Sequence, residues 1–187
     1  MLDRDDEQLA RALLGGGANT LQVRIKPGAA QAIVKAARMA RRVCDEFGAK
    51  LVMNDRIDIA LAVGADAVHL GQTDLPIEVA RGLGLAVGLS THDAGQVRAA
   101  AAARPAYIAY GPVFATRTKQ NPDPVQGVTA LRAAVELAGD IPVVAIGGIT
   151  PDQAAAVYAT GAAAICAIAA VNGAPDIAAA ARALARV

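Results

Sequence analysis

Short apolar runs alternate with alanine-rich helical segments along this chain, and that alternation limits the fold more than any other feature. The runs predict seven strands, at residues 20–25, 50–53, 67–70, 85–89, 107–110, 143–146 and 163–168. Helical spacing of apolar residues predicts eight helices, at residues 3–14, 28–47, 56–63, 77–83, 94–103, 128–138, 152–159 and 175–185. This order is typical of a parallel α/β barrel, which carries an active site at the carboxyl ends of its strands. We therefore expect one α/β-barrel domain over residues 1–187, and an enzyme.

The predicted barrel is one strand short. A closed (βα)8 or TIM barrel needs eight strands, and each of them is normally followed by a helix. This chain opens with the predicted helix 3–14, so the first strand is the missing one. Either the native start lies upstream of Met1, or a rearranged amino-terminal segment or a second copy of the chain fills the gap, because unpaired sheet edges are unfavourable.

Composition excludes several classes of function. The chain has 18 Lys and Arg against 17 Asp and Glu, a net charge of +1, and therefore no basic surface typical of nucleic-acid binding. Neither a signal peptide nor an apolar run long enough to span a membrane is present. Cys44 and Cys166 show neither disulfide nor metal-site spacing. We expect a cytoplasmic protein with small-molecule partners, and the sequence leaves a homo-oligomer open.

Polar residues alternate along the first predicted strand. Gln22, Arg24 and Lys26 share one face, since successive strand residues point to opposite sides. Two cations and an amide in one row suit the oxygens of a phosphate group. A solvated edge strand or a buried ion pair is the alternative for this row.

Acidic residues follow the next two strands. Asn54 and Asp55 come directly after one, and Asp74 lies just past the other. Neighbouring strand ends lie side by side in a parallel barrel, so both carboxylates can bind one Mg2+ whose remaining ligands are diphosphate oxygens. Alternatively, Asp55 and Asp74 cap the helices that begin near Arg56 and Pro76.

Two further segments carry hydroxyl or imidazole groups. Ser90 ends a strand, where its hydroxyl can contact a substrate or cap the next helix. For Thr91 and Asp93, capping of that helix is an equally good interpretation. His69 lies within a strand, and we interpret it as a structural histidine with satisfied hydrogen bonds rather than a general base.

A second group of residues suits a monophosphate. Thr116 and Thr118 lie in a polar loop after the fifth predicted strand, which also carries Arg117 and, for the diphosphate site, Lys119. Gly148 and the Ile168–Ala169 edge follow the last two strands, where such barrels bind phosphate through backbone N–H groups. The chain thus offers a metal-assisted diphosphate site beside a monophosphate site, and group transfer with release of pyrophosphate is the simplest reaction for this pair.

Six ordered motifs resemble the thiamine phosphate synthase family. They lie at residues 22–26, 54–60, 65–74, 88–92, 111–119 and 145–150. The resemblance implies a Mg2+-dependent transferase that joins hydroxymethylpyrimidine diphosphate to thiazole phosphate. It also implies a dissociative mechanism, in which pyrophosphate leaves before the thiazole nitrogen captures the pyrimidinylmethyl cation.

The resemblance further assigns residues to each ligand. The pyrimidine diphosphate falls to Gln22, Val23, Arg24, Ile25, Lys26, Asn54, Ser90 and Lys119. Among these, the residues with a catalytic role are Arg24, Ser90 and Lys119. The metal falls to Asp55 and Asp74, and the thiazole phosphate to Thr116, Arg117, Thr118, Gly148, Ile168 and Ala169.

Two other functions are compatible with such a barrel. A thiazole tautomerase shares the fold and several motifs, but it has no diphosphate to hold and so no use for Arg24, Lys26, Asp55 and Asp74. The second alternative is a catalytically impaired barrel that still binds phosphate ligands after losing its first strand.

Overall fold

The computed structural model describes residues 1–2, 6–25, 29–116 and 123–185. Within these ranges, parallel strands form one seven-stranded sheet in chain order. Their bounds are β1 Thr20–Val23, β2 Lys50–Asn54, β3 Ala67–Leu70, β4 Ala86–Thr91, β5 Tyr107–Tyr110, β6 Val143–Ile146 and β7 Ala164–Cys166. The predicted strands are confirmed in number and order. The bounds differ for β1, which ends at Val23 and not at residue 25, for β4, which runs to Thr91 and not to residue 89, and for β7, which ends at Cys166 shortly before a short helix begins at Ala169.

Helices alternate with these strands as predicted. Their bounds are α1 Glu7–Gly15, α2 Ala30–Phe47, α3 Ile57–Val63, α4 Ile77–Gly82, α5 Ala94–Ala103, α6 Gly127–Ala138, α7 Pro151–Tyr158, α8 Ala169–Asn172 and α9 Ile177–Leu184. The sequence did not predict α8, because its 4 residues are too few to show a hydrophobic period. None of the helices in the described ranges has the length and apolar character needed to cross a membrane.

The two faces of the sheet differ in chemistry. One face carries fully buried apolar side chains at paired positions, such as Leu21 beside Leu51, which belong to the core between the sheet and the helices. The alternate positions face the barrel interior and carry the polar residues Gln22, Asn54 and His69. Functional side chains are thus held on rigid strands inside the ring of helices.

The first two residues lie between the edges of the sheet. Leu2 N–H donates to Gln22 O at 2.6 Å, Arg24 N–H donates to Leu2 O at 2.8 Å, and Leu2 is fully buried. The Met1 ammonium donates to Ala167 O, just beyond β7, at 3.0 Å. A parallel bridge at Leu2 and the Met1 contact therefore place the first two residues in the gap between β1 and β7, as one of the expected arrangements has it.

A partly exposed ion cluster ties α2 and β2 to the residue before β3, at the amino ends of these strands. The Asp66 carboxylate accepts hydrogen bonds from Arg41 at 2.7 Å, Lys50 at 2.9 Å and the Leu51 N–H at 2.8 Å. Burial alone would raise the pKa of Asp66, but the Lys50, Leu51 and Arg41 hydrogen bonds outweigh it and hold that pKa well below its usual range. The ionised carboxylate therefore stabilises the fold.

We expect Asp66→Asn to lower the free energy of unfolding by about 2 kcal/mol at pH 7, because it leaves the half-buried Arg41 guanidinium and the buried Leu51 N–H facing a neutral amide. The Asp66 pKa is depressed in the folded state, so its stabilisation is full above the unfolded pKa of about 4 and is lost as the pH falls below it. Denaturant unfolding at pH 7 and near pH 3 measures this difference. A difference between variant and wild type that is equal at both pH values would contradict the assignment, and Asp140→Asn, on the surface, serves as the control.

Candidate active site

β2 ends in a tight turn that places Asn54 and Asp55 at the carboxyl edge of the sheet. Asp55 has a φ of 61°, in the left-handed region that Asp and Asn tolerate better than most residues. Its N–H donates to His69 O on β3 at 2.8 Å, and Arg56 N–H donates to Asn54 O at 2.7 Å. The N-cap of α3 is Arg56, without a side-chain cap, so the alternative that Asp55 caps this helix is wrong.

Asp74 closes the turn that follows β3. Its Oδ2 accepts a hydrogen bond from Gly71 N–H at 2.6 Å. The N-cap of α4 is Pro76, again without a side-chain cap, so the helix-capping alternative for Asp74 is also wrong. Because the carboxylate is only partly buried, it remains at the edge where a ligand can approach.

These two carboxylates meet the basic needs of a magnesium site. β2 and β3 are paired neighbours, with Asn54 in register with His69, so Asp55 and Asp74 follow adjacent strand ends. In the described part of the chain, no group of three or more His, Cys, Asp or Glu side chains is placed to hold a metal ion. Two hard oxygen ligands from the protein fit a cation that takes its other ligands from a diphosphate and water.

A hydrogen-bonded cluster lies inside the barrel beside this edge. His69 Nδ1 is 2.8 Å from the Tyr107 hydroxyl, and His69 Nε2 is 2.7 Å from Ser90 Oγ. The two rings also stack, with centroids 5.6 Å apart. Burial lowers the pKa of His69 to about 4, so the imidazole is neutral near pH 7. The prediction of a satisfied histidine is confirmed, since both ring nitrogens have partners.

The first-strand row is divided by the structure. Gln22 is buried inside the barrel, and its Oε1 is buried without a hydrogen-bond partner among the described residues. Arg24 and Ile25 are half-buried just past the end of β1. The Val23 side chain lies in the apolar core, so only its backbone is available for the predicted ligand contact. Lys26, the last member of the row, lies outside the described residues.

The β5–α6 loop lies directly against the glycine pair after β6. Phe114 N–H donates to Gly147 O at 2.9 Å. Gly148 has a φ of 65°, and a Cβ atom there would lie 2.3 Å from Ala115 O. Only glycine permits this approach, which brings the segment leading to the half-buried Thr116 beside Gly148.

Other predicted residues have mixed outcomes. Asp93 caps α5 by accepting from Gln96 N–H at 2.8 Å, as one alternative predicted, whereas the Thr91 hydroxyl donates to Ala109 O at 3.1 Å. Ile168 is the N-cap of α8 and Ala169 its first residue, at the end of β7. The predicted residues Arg117, Thr118 and Lys119 lie outside the described residues.

Sequence reasoning did not identify Tyr107 as a site residue. The feature that marks Tyr107 is its pairing with Gly88 on the neighbouring strand. A Cβ atom on Gly88 would lie 2.0 Å from Tyr107 Cζ, so the glycine makes room for the ring. The glycine on β4 leaves room for the tyrosine of β5 to reach His69 on β3. Gln72 was also missed as a contact of this cluster, and its Nε2 donates to Ser90 O at 2.6 Å.

Comparison with known proteins agrees with this arrangement. The family model described as thiamine monophosphate synthase matches residues 1–171. The thiamine-phosphate synthase of Moorella thermoacetica is 44% identical over 186 residues, which cover 96% of this chain and 87% of that protein. The bifunctional protein ThiM/ThiE of Symbiobacterium thermophilum is 47% identical over 176 residues, and these span 92% of this chain but 36% of that longer protein.

A solved structure gives the same result for the fold. The thiamine phosphate pyrophosphorylase from Pyrococcus furiosus superposes with a TM-score of 0.88 and 38% sequence identity, covering 96% of this chain and 87% of its own. The predicted α/β-barrel fold is therefore confirmed. The match extends over the strand ends that carry Asn54, Asp74, Ser90 and Gly148, and the chain belongs to the thiamine monophosphate synthase family.

Proposed function

We propose that this chain is a thiamine-phosphate synthase, a transferase that moves the 4-amino-2-methylpyrimidinylmethyl group from its diphosphate to the nitrogen of thiazole phosphate. The products are thiamine phosphate and pyrophosphate. Family membership supports this reaction. The observation that carries it in the structure is that one edge of the sheet holds two carboxylates, an amide, a hydroxyl and a cation. We further propose the cytoplasm as its location, since Cys44 and Cys166 are both free thiols.

The diphosphate substrate is assigned to the ends of β1, β2 and β4. Its contacts are proposed to be Gln22, Arg24, Lys26, Asn54, Ser90 and Lys119, with the backbone of Val23 and Ile25. Arg24 supplies a guanidinium, which suits phosphate oxygens through paired hydrogen bonds. Asp55 and Asp74 would hold Mg2+, which supplies charge neutralisation to the departing pyrophosphate.

The thiazole phosphate is assigned to the other half of the same edge. Its contacts are proposed to be Thr116, Arg117, Thr118, Gly148 and the Ile168–Ala169 backbone. The close packing of residues 114–115 on Gly148 supports this placement, because it brings the segment that ends at Thr116 to the glycine backbone. The two substrates then meet above the barrel interior.

This reaction requires the protein to stabilise developing charge, and it requires no protein nucleophile. In a dissociative transfer, the carbon–oxygen bond to pyrophosphate breaks first and the thiazole nitrogen then forms the new carbon–nitrogen bond. His69 is a weak base near pH 7, because burial lowers its pKa to about 4. Arg24 and Ser90 instead bind and orient the leaving group, and positioning and preorganised electrostatics supply most of the rate enhancement.

We expect Arg24→Ala to raise the KM for the pyrimidine diphosphate about tenfold or more and to leave the KM for thiazole phosphate within about twofold, because it removes a cation from one site only. Steady-state assays of thiamine phosphate formation measure both constants. Arg38→Ala, on the exposed face of α2, serves as the control. A variant that unfolds without any change in ligand affinity would favour the buried-ion-pair alternative for this row.

The same assay separates the alternatives. A tautomerase would isomerise the thiazole phosphate without consuming the pyrimidine diphosphate, and an impaired binding barrel would bind both compounds without releasing pyrophosphate. Formation of thiamine phosphate supports the proposal against either one.

A further inference from the structure

A continuous chain of hydrogen bonds crosses the barrel interior and ends on Ser90. Its members are Tyr107 on β5, His69 on β3 and Ser90 on β4. The Tyr107–His69 and His69–Ser90 contacts measure 2.8 Å and 2.7 Å. This chain of hydrogen bonds forms only because Gly88 has no side chain. A Cβ atom there would lie 2.0 Å from Tyr107 Cζ and would block the tyrosine ring from crossing β4. The proposed reaction assigns no role to Tyr107 or His69, although both are held in place by several elements.

The direction of the chain follows from its Tyr107 end. Among the described residues, the Tyr107 hydroxyl has one hydrogen-bond partner, His69 Nδ1. A hydroxyl inside a protein rarely leaves its hydrogen without an acceptor. The Tyr107 O–H is then left to donate to His69 Nδ1. A neutral imidazole carries one proton, which must lie on Nε2 and donate to Ser90 Oγ.

The opposite direction is less favourable at the same end. Tyr107 would then accept from His69 Nδ1–H, and its own hydrogen would have no acceptor among the described residues, since Gln22 Oε1 has no hydrogen-bond partner there. A donor left without an acceptor inside a protein costs its desolvation free energy.

We propose that Tyr107 and His69 are positioning residues that fix the Ser90 hydroxyl as a hydrogen-bond donor toward the diphosphate of the substrate. This inference rests on the proposed function, because the diphosphate is its ligand. Ser90 Oγ accepts from His69, so its own hydrogen is free for an anionic oxygen. If the hydrogen bonds ran in the opposite direction, Ser90 would donate that hydrogen to His69 and would present a lone pair to the anion.

A double-mutant cycle tests whether Tyr107 acts through Ser90. We expect Tyr107→Phe to lower kcat about tenfold while the KM for the pyrimidine diphosphate stays within about twofold, since charge on the leaving oxygen grows mainly in the transition state. In the Ser90→Ala background, the same substitution should cost less than about twofold. If the kcat of the double variant falls by the product of the two single-variant losses, Tyr107 acts independently of Ser90, and the proposal is overturned.

Tyr158→Phe is the matched control for a lost tyrosine hydrogen bond. Its hydroxyl donates to Leu184 O at 3.0 Å among the outer helices, away from the barrel interior. We expect this variant to keep the wild-type kcat. If it lowers kcat as much as Tyr107→Phe does, the tyrosine effect is one of general stability and the proposal fails.

The imidazole tautomer gives a second readout that needs no turnover. The chain has 2 histidines, so nitrogen-15 NMR of labelled protein, with His92→Gln for assignment, reports the proton position on His69. We expect the proton on Nε2 in the wild type and a mixture of tautomers in Tyr107→Phe. A proton on Nδ1 in the wild type would overturn the proposed direction. Wild-type protein that makes no thiamine phosphate would refute the proposed function, and the NMR result would still decide the direction of the chain.

Discussion

Asp55→Asn and Asp74→Asn are each expected to lower turnover by about two orders of magnitude or more at saturating substrate. Each removes one of the two carboxylates proposed to hold Mg2+, and a leaving diphosphate without charge compensation raises the barrier by several kcal/mol, where about 1.4 kcal/mol is tenfold in rate. Asparagine is the sharpest substitution at both positions. It tolerates the left-handed backbone of Asp55 and keeps an oxygen that can accept from Gly71 N–H at position 74.

Steady-state turnover over a range of Mg2+ concentrations measures this effect. A weakened metal site should also raise the Mg2+ concentration needed for half-maximal activity. Asp140→Asn, an exposed carboxylate paired with Arg104, controls for the loss of one negative charge. Full activity of the wild type in a chelator, or wild-type turnover in both variants, would contradict the metal assignment.

The second large effect is expected at Gly148. Gly148→Ala should raise the KM for thiazole phosphate or lower kcat by about tenfold or more. The reaction depends on the alignment of its two substrates, and a displaced binding loop would misalign the thiazole phosphate. The new Cβ would lie 2.3 Å from Ala115 O, so the loop that leads to Thr116 must move. Kinetics with each substrate varied in turn locate the defect.

Gly48→Ala separates this steric effect from backbone strain. Gly48 has the same φ of 65° at the end of α2, but a Cβ atom there meets nothing within 4 Å. Both variants should therefore lose a similar amount of stability from the left-handed backbone, about 1 kcal/mol, and only Gly148→Ala should lose activity. Equal activity in the two variants would place the thiazole phosphate elsewhere.

The sequence predicts the fold well because its period is unambiguous. Runs such as Ala67–Leu70 and Tyr107–Tyr110 match the observed strands at both ends, since glycine, proline or polar residues bound each run. The exceptions are local. β1 ends at Val23, before the predicted residue 25, and β7 ends shortly before the four-residue α8. Leu2 pairs with β1 through a single bridge, which is too short to show alternation.

The candidate site is less predictable, because it depends on geometry between strands. Spacing places Asp55 and Asp74 after neighbouring strands, but the capping alternatives are excluded only by the observed N-caps, Arg56 and Pro76. The role of Tyr107 depends on a missing side chain at Gly88, and a pattern along one strand does not show which glycine faces which tyrosine. Lys26 and Lys119 remain predictions from the sequence alone.

The central claim is that one edge of this barrel joins two phosphorylated substrates. The direct measurement is a time course with purified chain, both substrates and Mg2+, in which thiamine phosphate and pyrophosphate are quantified separately. We expect both products to appear in equal amounts, and neither to appear when either substrate is left out. Isomerised thiazole phosphate as the sole product, or binding of both substrates without pyrophosphate release, would contradict the account.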